Sequence, residues 1–151
     1  MRAMSDADAD FMRRALLLAA PGVGRTGANP SVGCVIVSDG VVVGEGATAP
    51  GGRPHAEEVA LAQAGNKAQG ATVYVTLEPC AKRSTGTPSC SEILIQHGVG
   101  RVVIAIGDPH LFAAGVGVER LRAAGIGVEV GLMSEDARAL NAAFFAQWDK
   151  S

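Results

Sequence analysis

Apolar residues along this chain fall into two periods, and the switches between them mark ten elements. Ser5 ahead of Asp6-Ala7-Asp8 has the chemistry of a helix start, because a side-chain oxygen can accept from free backbone N–H groups and early acids suit the helix dipole. Phe11, Ala15 and Leu18 then recur at helical spacing until Pro21-Gly22 ends the helix. Turn-forming residues fill 22–31. The apolar run 32–37 predicts a buried strand, and Asp39-Gly40 predicts a hairpin into a second strand over 41–44. A Gly/Pro-rich loop follows over 46–54, then a helix over about 55–64. Residues 72–77 (TVYVTL) form the third strand and 78–88 an irregular loop. Pro88 suits the first turn of a helix reaching His97, with Gly98 as its left-handed cap. A fourth strand over 101–106, a short helix over 117–124 closed by Gly125, and a fifth strand over 126–130 come next. Ser134-Glu135-Asp136 starts a last helix predicted to run to about Trp148.

The order α-β-β-α-β-α-β-α-β-α implies an α/β fold, one mixed five-stranded sheet with helices on both faces. The helix between the fourth and fifth strands is long enough for a crossover, so that pair is expected to be parallel. No repeat or linker interrupts the pattern, so residues 1–151 are read as a single domain.

Composition narrows the function. The chain has 151 residues, 48% hydrophobic and 19% charged, which fits a globular fold and argues against disorder. A net charge of -2 argues against a nucleic-acid binder working through a broad basic face, and 4% aromatics argues against a base-stacking platform. No apolar run approaches the ~20 residues of a membrane span. Asp6, Asp8 and Asp10 occupy the stretch where a signal peptide carries basic residues, and three cysteines cannot pair completely. A cytoplasmic protein with reduced thiols is the expectation.

Three residues carry the chemistry. His55 opens a helix just after Pro54, Cys80 follows Pro79 at the end of the third strand, and Cys90 lies in the first turn of the next helix. One imidazole and two thiolates make a Zn2+ ligand set with a fourth position left for water. Helix N-termini favour the thiolates. Glu57, two residues from His55, is placed to take a proton from a water at that open position and to pass it on. A structural zinc site would use four protein ligands. Cys34, mid-strand beside Val35 and Ile36, reads as a small buried hydrophobe, and Glu58 as a surface residue. His97 at a helix end reads as a surface residue suited to the dipole, and Trp148 as packing.

The pattern H-x-E, then P-C and a second Cys, is the zinc deaminase signature. His55–Leu61 (HAEEVAL), Ala71–Cys80 (ATVYVTLEPC) and Asn29-Pro30-Ser31-Val32-Gly33 resemble the cytidine deaminase superfamily, most closely the deaminase domain of the bifunctional riboflavin-biosynthesis enzymes. GVGRVV at 98–103, AAGI at 123–126 and LNAAFF at 140–145 extend the likeness from about residue 6 to 147. The resemblance implies a three-layer α/β/α sandwich, zinc on His55, Cys80 and Cys90, a proton shuttle at Glu57, and Asn29 on the edge of the substrate ring. It also places Ala56 (through its N–H), Thr48 and His110 near the substrate. Lys82 and Arg83, with Arg25 and Arg53, are loop cations that could hold a phosphate or be scattered surface charges.

Several positions depart from that family. Nine residues separate Cys80 and Cys90, one more than is usual in the riboflavin branch, and the His common there is absent. Thr48 stands where the family tends to have His, and His110 where it tends to have Asn. The implied activity is zinc-dependent hydrolytic deamination of an aminopyrimidine, first the diaminohydroxyphosphoribosylaminopyrimidine of riboflavin synthesis. The same chemistry on a free base, nucleoside or specialised metabolite, tRNA adenosine, and a zinc-stabilised scaffold without catalysis are the alternatives. A homodimer is the expected assembly. The bifunctional relatives add a reductase domain, for which 151 residues are too few, so the expectation is a separate reductase or another pathway.

Overall fold

A computed structural model describes residues 5–27, 29–80, 89–107 and 115–146. Helix α1 (Asp6–Ala19) starts as its sequence predicts. The Ser5 hydroxyl accepts from the Asp8 N–H at 3.1 Å while the Asp8 carboxylate accepts from the Ser5 N–H at 2.9 Å. Strands β1 (Gly33–Ser38) and β2 (Val41–Ala47) form the expected hairpin, with Asp39 and Gly40 at φ 51° and 78°, the positive values of a tight two-residue turn. Then come α2 (Ala56–Ala64), β3 (Thr72–Leu77), α3 (Cys90–Gln96), β4 (Arg101–Ile106), α4 (Val116–Ala123), β5 (Gly127–Val130), α5 (Ser134–Leu140) and α6 (Ala142–Ala146).

The five strands form one sheet in the order β2-β1-β3-β4-β5. β1 is antiparallel to both β2 and β3, whereas β3, β4 and β5 run parallel. Side chains alternate across it, as strand geometry requires. Ile36, Val73, Val75, Val102 and Ile104 face Ala60 and Leu61 of α2, Leu94 of α3 and Leu121 of α4. Val35, Tyr74 and Val103 face Met12 and Ala15 of α1 and Ala137 of α5. The result is the three-layer α/β/α sandwich.

Beyond shifts of a single residue, three elements differ from the sequence reading. β2 runs to Ala47 rather than stopping at Gly44, because Gly46 pairs with Cys34 and Ala47 with Gly33. Gly46 read as the start of a loop, yet it is a strand residue, and α2 lies on it and on Gly44: a Cβ on Gly44 would sit 2.3 Å from the Ala60 carbonyl oxygen. Helix α3 begins at Cys90 with Ser89 as its cap, after Pro88 rather than at it. The last helix is broken. Met133, not Ser134, is the N-cap of α5, and Asn141 leaves helical geometry because its amide is used elsewhere. Asn141 Nδ2 donates to the Ser31 carbonyl at 2.7 Å, and its Oδ1 accepts from the Ser31 N–H at 3.0 Å. The predicted end at Trp148 lies outside the described residues.

Candidate zinc and catalytic centre

The centre forms where the C-terminal end of β3 meets the N-termini of α2 and α3. His55 is the N-cap of α2, with extended backbone, and its N–H donates to the Glu58 carboxylate at 2.9 Å. Glu58 therefore holds the backbone of a candidate ligand, where the sequence suggested only a surface residue. Cys80 lies three residues past the end of β3. Its carbonyl accepts from the Ser91 N–H at 3.0 Å and its Sγ from the Cys90 N–H at 3.1 Å. Helix α3 thus points its N-terminus at Cys80. Ser89 caps the helix through its hydroxyl, 3.2 Å from the Glu92 N–H. These bonds bring Cys80 back to Cys90 across the nine intervening residues.

The donor atoms of His55, Cys80 and Cys90 all lie within 4.8 Å of one another, and His55 Nδ1 is 3.2 Å from Cys90 Sγ. Tetrahedral zinc, with Zn–N near 2.0 Å and Zn–S near 2.3 Å, puts neighbouring donors about 3.5 Å apart. One nitrogen and two sulfurs in this compass fit zinc and leave a coordination position open. These three residues are positioned to hold a metal ion.

Glu57 sits in the first turn of α2, only 4% exposed. Burial pushes its carboxyl up to about 7; its helix N–H, His55 and a hydrogen bond with Cys90 pull the other way, while Cys80 adds to the rise. The carboxyl is therefore in contact with the ligand cluster. Cys34 lies in the core below, and burial, with the Glu57 charge second, raises its thiol well above the usual range, so it stays neutral.

The remaining sequence candidates are distributed around this centre. Ala56 is fully buried at the first position of α2. Asn29 is exposed, and its amide donates to the Gly52 carbonyl at 3.2 Å. The Gly51 N–H donates to the Arg25 carbonyl at 2.9 Å, so the loop bearing Arg25 and Asn29 is joined to the turn bearing Arg53 and leading into His55. Arg25 and Arg53 are both exposed. Thr48 is buried, and its hydroxyl accepts from the Val32 N–H at 2.9 Å while its own N–H donates to the Val32 carbonyl. Its side chain lengthens the β1–β2 ladder. Lys82, Arg83 and His110 lie outside the described residues. His97, the C-cap of α3, has Nδ1 2.8 Å from the Ile93 carbonyl.

Two buried acids went unnoticed in the sequence. Glu78, inside the TLEPC stretch, accepts at Oε1 from the Gly115 N–H (3.1 Å) and at Oε2 from the Val118 N–H (3.2 Å). Asp8 accepts two bonds of 3.0 Å from Arg101 and one of 2.5 Å from the Tyr74 hydroxyl, and Arg101 also binds Glu129. Glu78 stood next to Pro79-Cys80, and that adjacency was the available signal. Nothing local marked Asp8 as buried, since an acid in a first helical turn is ordinarily solvated.

Comparison with known proteins agrees with this geometry. The family described as the cytidine and deoxycytidylate deaminase zinc-binding region matches residues 5–106, and the chain belongs to that family. Among individual relatives, the riboflavin biosynthesis protein RibD of Aquifex aeolicus is 50% identical over 138 residues, 91% of this chain and 38% of that protein. The chain thus spans about two-fifths of the length of that relative. The diaminohydroxyphosphoribosylamino-pyrimidine deaminase of Buchnera aphidicola is 46% identical over 138 residues, 91% of this chain and 93% of that protein. The solved structure of Acinetobacter baumannii RibD superposes with a TM-score of 0.91 at 47% identity, covering 95% of this chain and 40% of that one. Among the described residues no helix is long and apolar enough to cross a membrane.

Proposed function

We propose that this chain hydrolytically deaminates a diaminohydroxyphosphoribosylaminopyrimidine, releasing ammonia. One observation carries the reading: a buried carboxyl, Glu57, in contact with a three-donor cluster that fits zinc and leaves a position open. The name of the Buchnera relative, nearly all of which the chain covers, supports the substrate. His55, Cys80 and Cys90 would hold the zinc, which would acidify a water at neutral pH. Glu57 would accept a proton from the attacking water as the water oxygen adds to the amino-bearing ring carbon. Glu57 then passes that proton to the ring nitrogen, takes a second from the hydroxyl now on the ring carbon and delivers it to the departing amine, so ammonia leaves and a carbonyl replaces the amino group. Burial suits Glu57 to this work, because a carboxyl with a value near 7 both takes and gives protons at neutral pH.

Ala56 N–H and Asn29 are the proposed contacts to the ring, with His110 on the rim. Arg25 and Arg53, on loops bonded to one another, together with Lys82 and Arg83, are the proposed partners of the phosphate. Thr48 is proposed to support the wall through Val32 rather than to touch substrate. Three free cysteines support a reducing compartment, the cytoplasm, and the family resemblance supports a homodimer, which sedimentation would test.

The deciding experiment is ammonia release by zinc-loaded protein from this pyrimidine, with Glu57→Ala as control. Rapid release that depends on Glu57 is expected. No release from fully zinc-loaded protein would overturn the substrate assignment and favour another amino-bearing heterocycle.

A further inference from the structure

We propose that Glu78 is a positioning residue for the metal centre: its buried carboxylate locks the strand end that presents Cys80 onto the first turn of α4. The inference rests on the reading that His55, Cys80 and Cys90 hold zinc. Glu78 is 5% exposed and lies two residues before Cys80. Each of its carboxylate oxygens accepts a backbone N–H at the start of α4, Oε1 from the N-cap Gly115 and Oε2 from Val118. Its own N–H donates to the Ile106 carbonyl at 3.0 Å, continuing the β3–β4 ladder past its last paired residues. The backbone comes closer still at the next residue. A Cβ on Gly117 would lie 2.2 Å from the Pro79 carbonyl oxygen, so only glycine lets α4 rest on the peptide directly ahead of Cys80.

The physical argument is one of preorganisation. Cys80 is held on its far side by the N-terminus of α3, through the Ser91 and Cys90 N–H groups. On its near side, Cys80 follows the end of β3 by three residues. The two hydrogen bonds from the N-terminus of α4 to the Glu78 carboxylate supply a second fixed point there. The positions of Cys80 and Cys90 relative to His55 must hold within tenths of an ångström for tight binding. Partners one layer behind metal ligands typically carry about 10–100-fold of the metal affinity.

Glu78→Gln keeps the length of the side chain but turns an N–H toward one of the α4 N–H donors. Zinc affinity by chelator competition is expected to fall at least tenfold in this variant. The control is Asp8→Asn, which breaks a buried network on the opposite face of the sheet and is expected to lose stability while keeping wild-type zinc affinity. A second measurement needs no variant. Metal affinity and local order are reciprocally linked, so zinc should slow amide exchange at Gly115 and Val118 in the wild-type protein. Wild-type zinc affinity in Glu78→Gln, equal losses in both variants, or exchange at those two amides that ignores zinc would each overturn the inference. A wild-type protein that takes up no zinc would instead bring down the metal-site reading on which it depends.

Discussion

At the scale of single residues, Glu57 combines two demands that oppose each other. It must be buried to touch the donor cluster, and burial disfavours its charge. Glu57→Gln is therefore expected to keep zinc, by metal analysis, and to lose at least 10²-fold in ammonia release. Cys80→Ala is expected to lose zinc itself. The same burial gives a pH signature in metal-free protein. A carboxyl raised from its unfolded value near 4.3 to about 7 contributes stability that is full below pH 4 and is lost as pH rises through 7. Denaturant melts at pH 5 and pH 8 should show this loss in the wild type and a flatter dependence in Glu57→Gln. Of the site residues, His55, Cys80, Cys90 and Glu57 were legible from spacing and type, because metal and proton chemistry narrows the choice of side chain. Thr48 was not, because a threonine hydroxyl can serve substrate or backbone; in the fold it accepts from the Val32 N–H at 2.9 Å.

At the scale of elements, the site depends on how closely α2 lies on the hairpin. Gly44 admits the Ala60 carbonyl, and the helix that results carries His55 and Glu57 at its start. Gly44→Ala should force α2 outward, costing about 1–3 kcal/mol in denaturant unfolding and weakening zinc binding at the same time. The other face has its own tie. Arg101 of β4 bridges Asp8 of α1 and Glu129 of β5. The Arg101 guanidinium, outweighing the cost of burial, holds the Asp8 carboxyl well below the usual carboxylate range. Because the folded value is depressed, that stability is present above the unfolded value near 3.9 and is lost as pH falls through the folded one. Asp8→Asn should cost about 3 kcal/mol at pH 7, since it leaves a buried guanidinium short of a partner, and should flatten the acid limb of the stability profile. Helices and strands with strong periodicity were predictable. The extension of β2 through Gly46 was not, since glycine in isolation signals a turn and becomes a strand residue only where close packing needs its space.

At the scale of the whole molecule, residues far apart in the chain close the loops around the site. Asn141 interrupts the C-terminal helix so that its amide can pair with both backbone groups of Ser31, just past Asn29. Asn141→Ala is expected to leave zinc content unchanged and to raise KM several-fold more than it lowers kcat, with about 1–3 kcal/mol of lost stability. Steady-state kinetics alongside metal analysis would separate this from a general unfolding defect.

The amino-acid sequence alone determined the element order, the mixed sheet, the zinc donor set and the acid beside it. These follow from local periodicity and from side-chain chemistry, both of which are written residue by residue. Tertiary structure alone decided which polar side chains serve the backbone and which face the site. It turned Glu78, Asp8, Glu58 and Asn141 from ordinary surface types into buried or bonded anchors. The physical reason is that a hydrogen bond between residues as far apart as Ser31 and Asn141 is set by packing of the sheet and its two helical layers, and packing leaves no local mark on either residue.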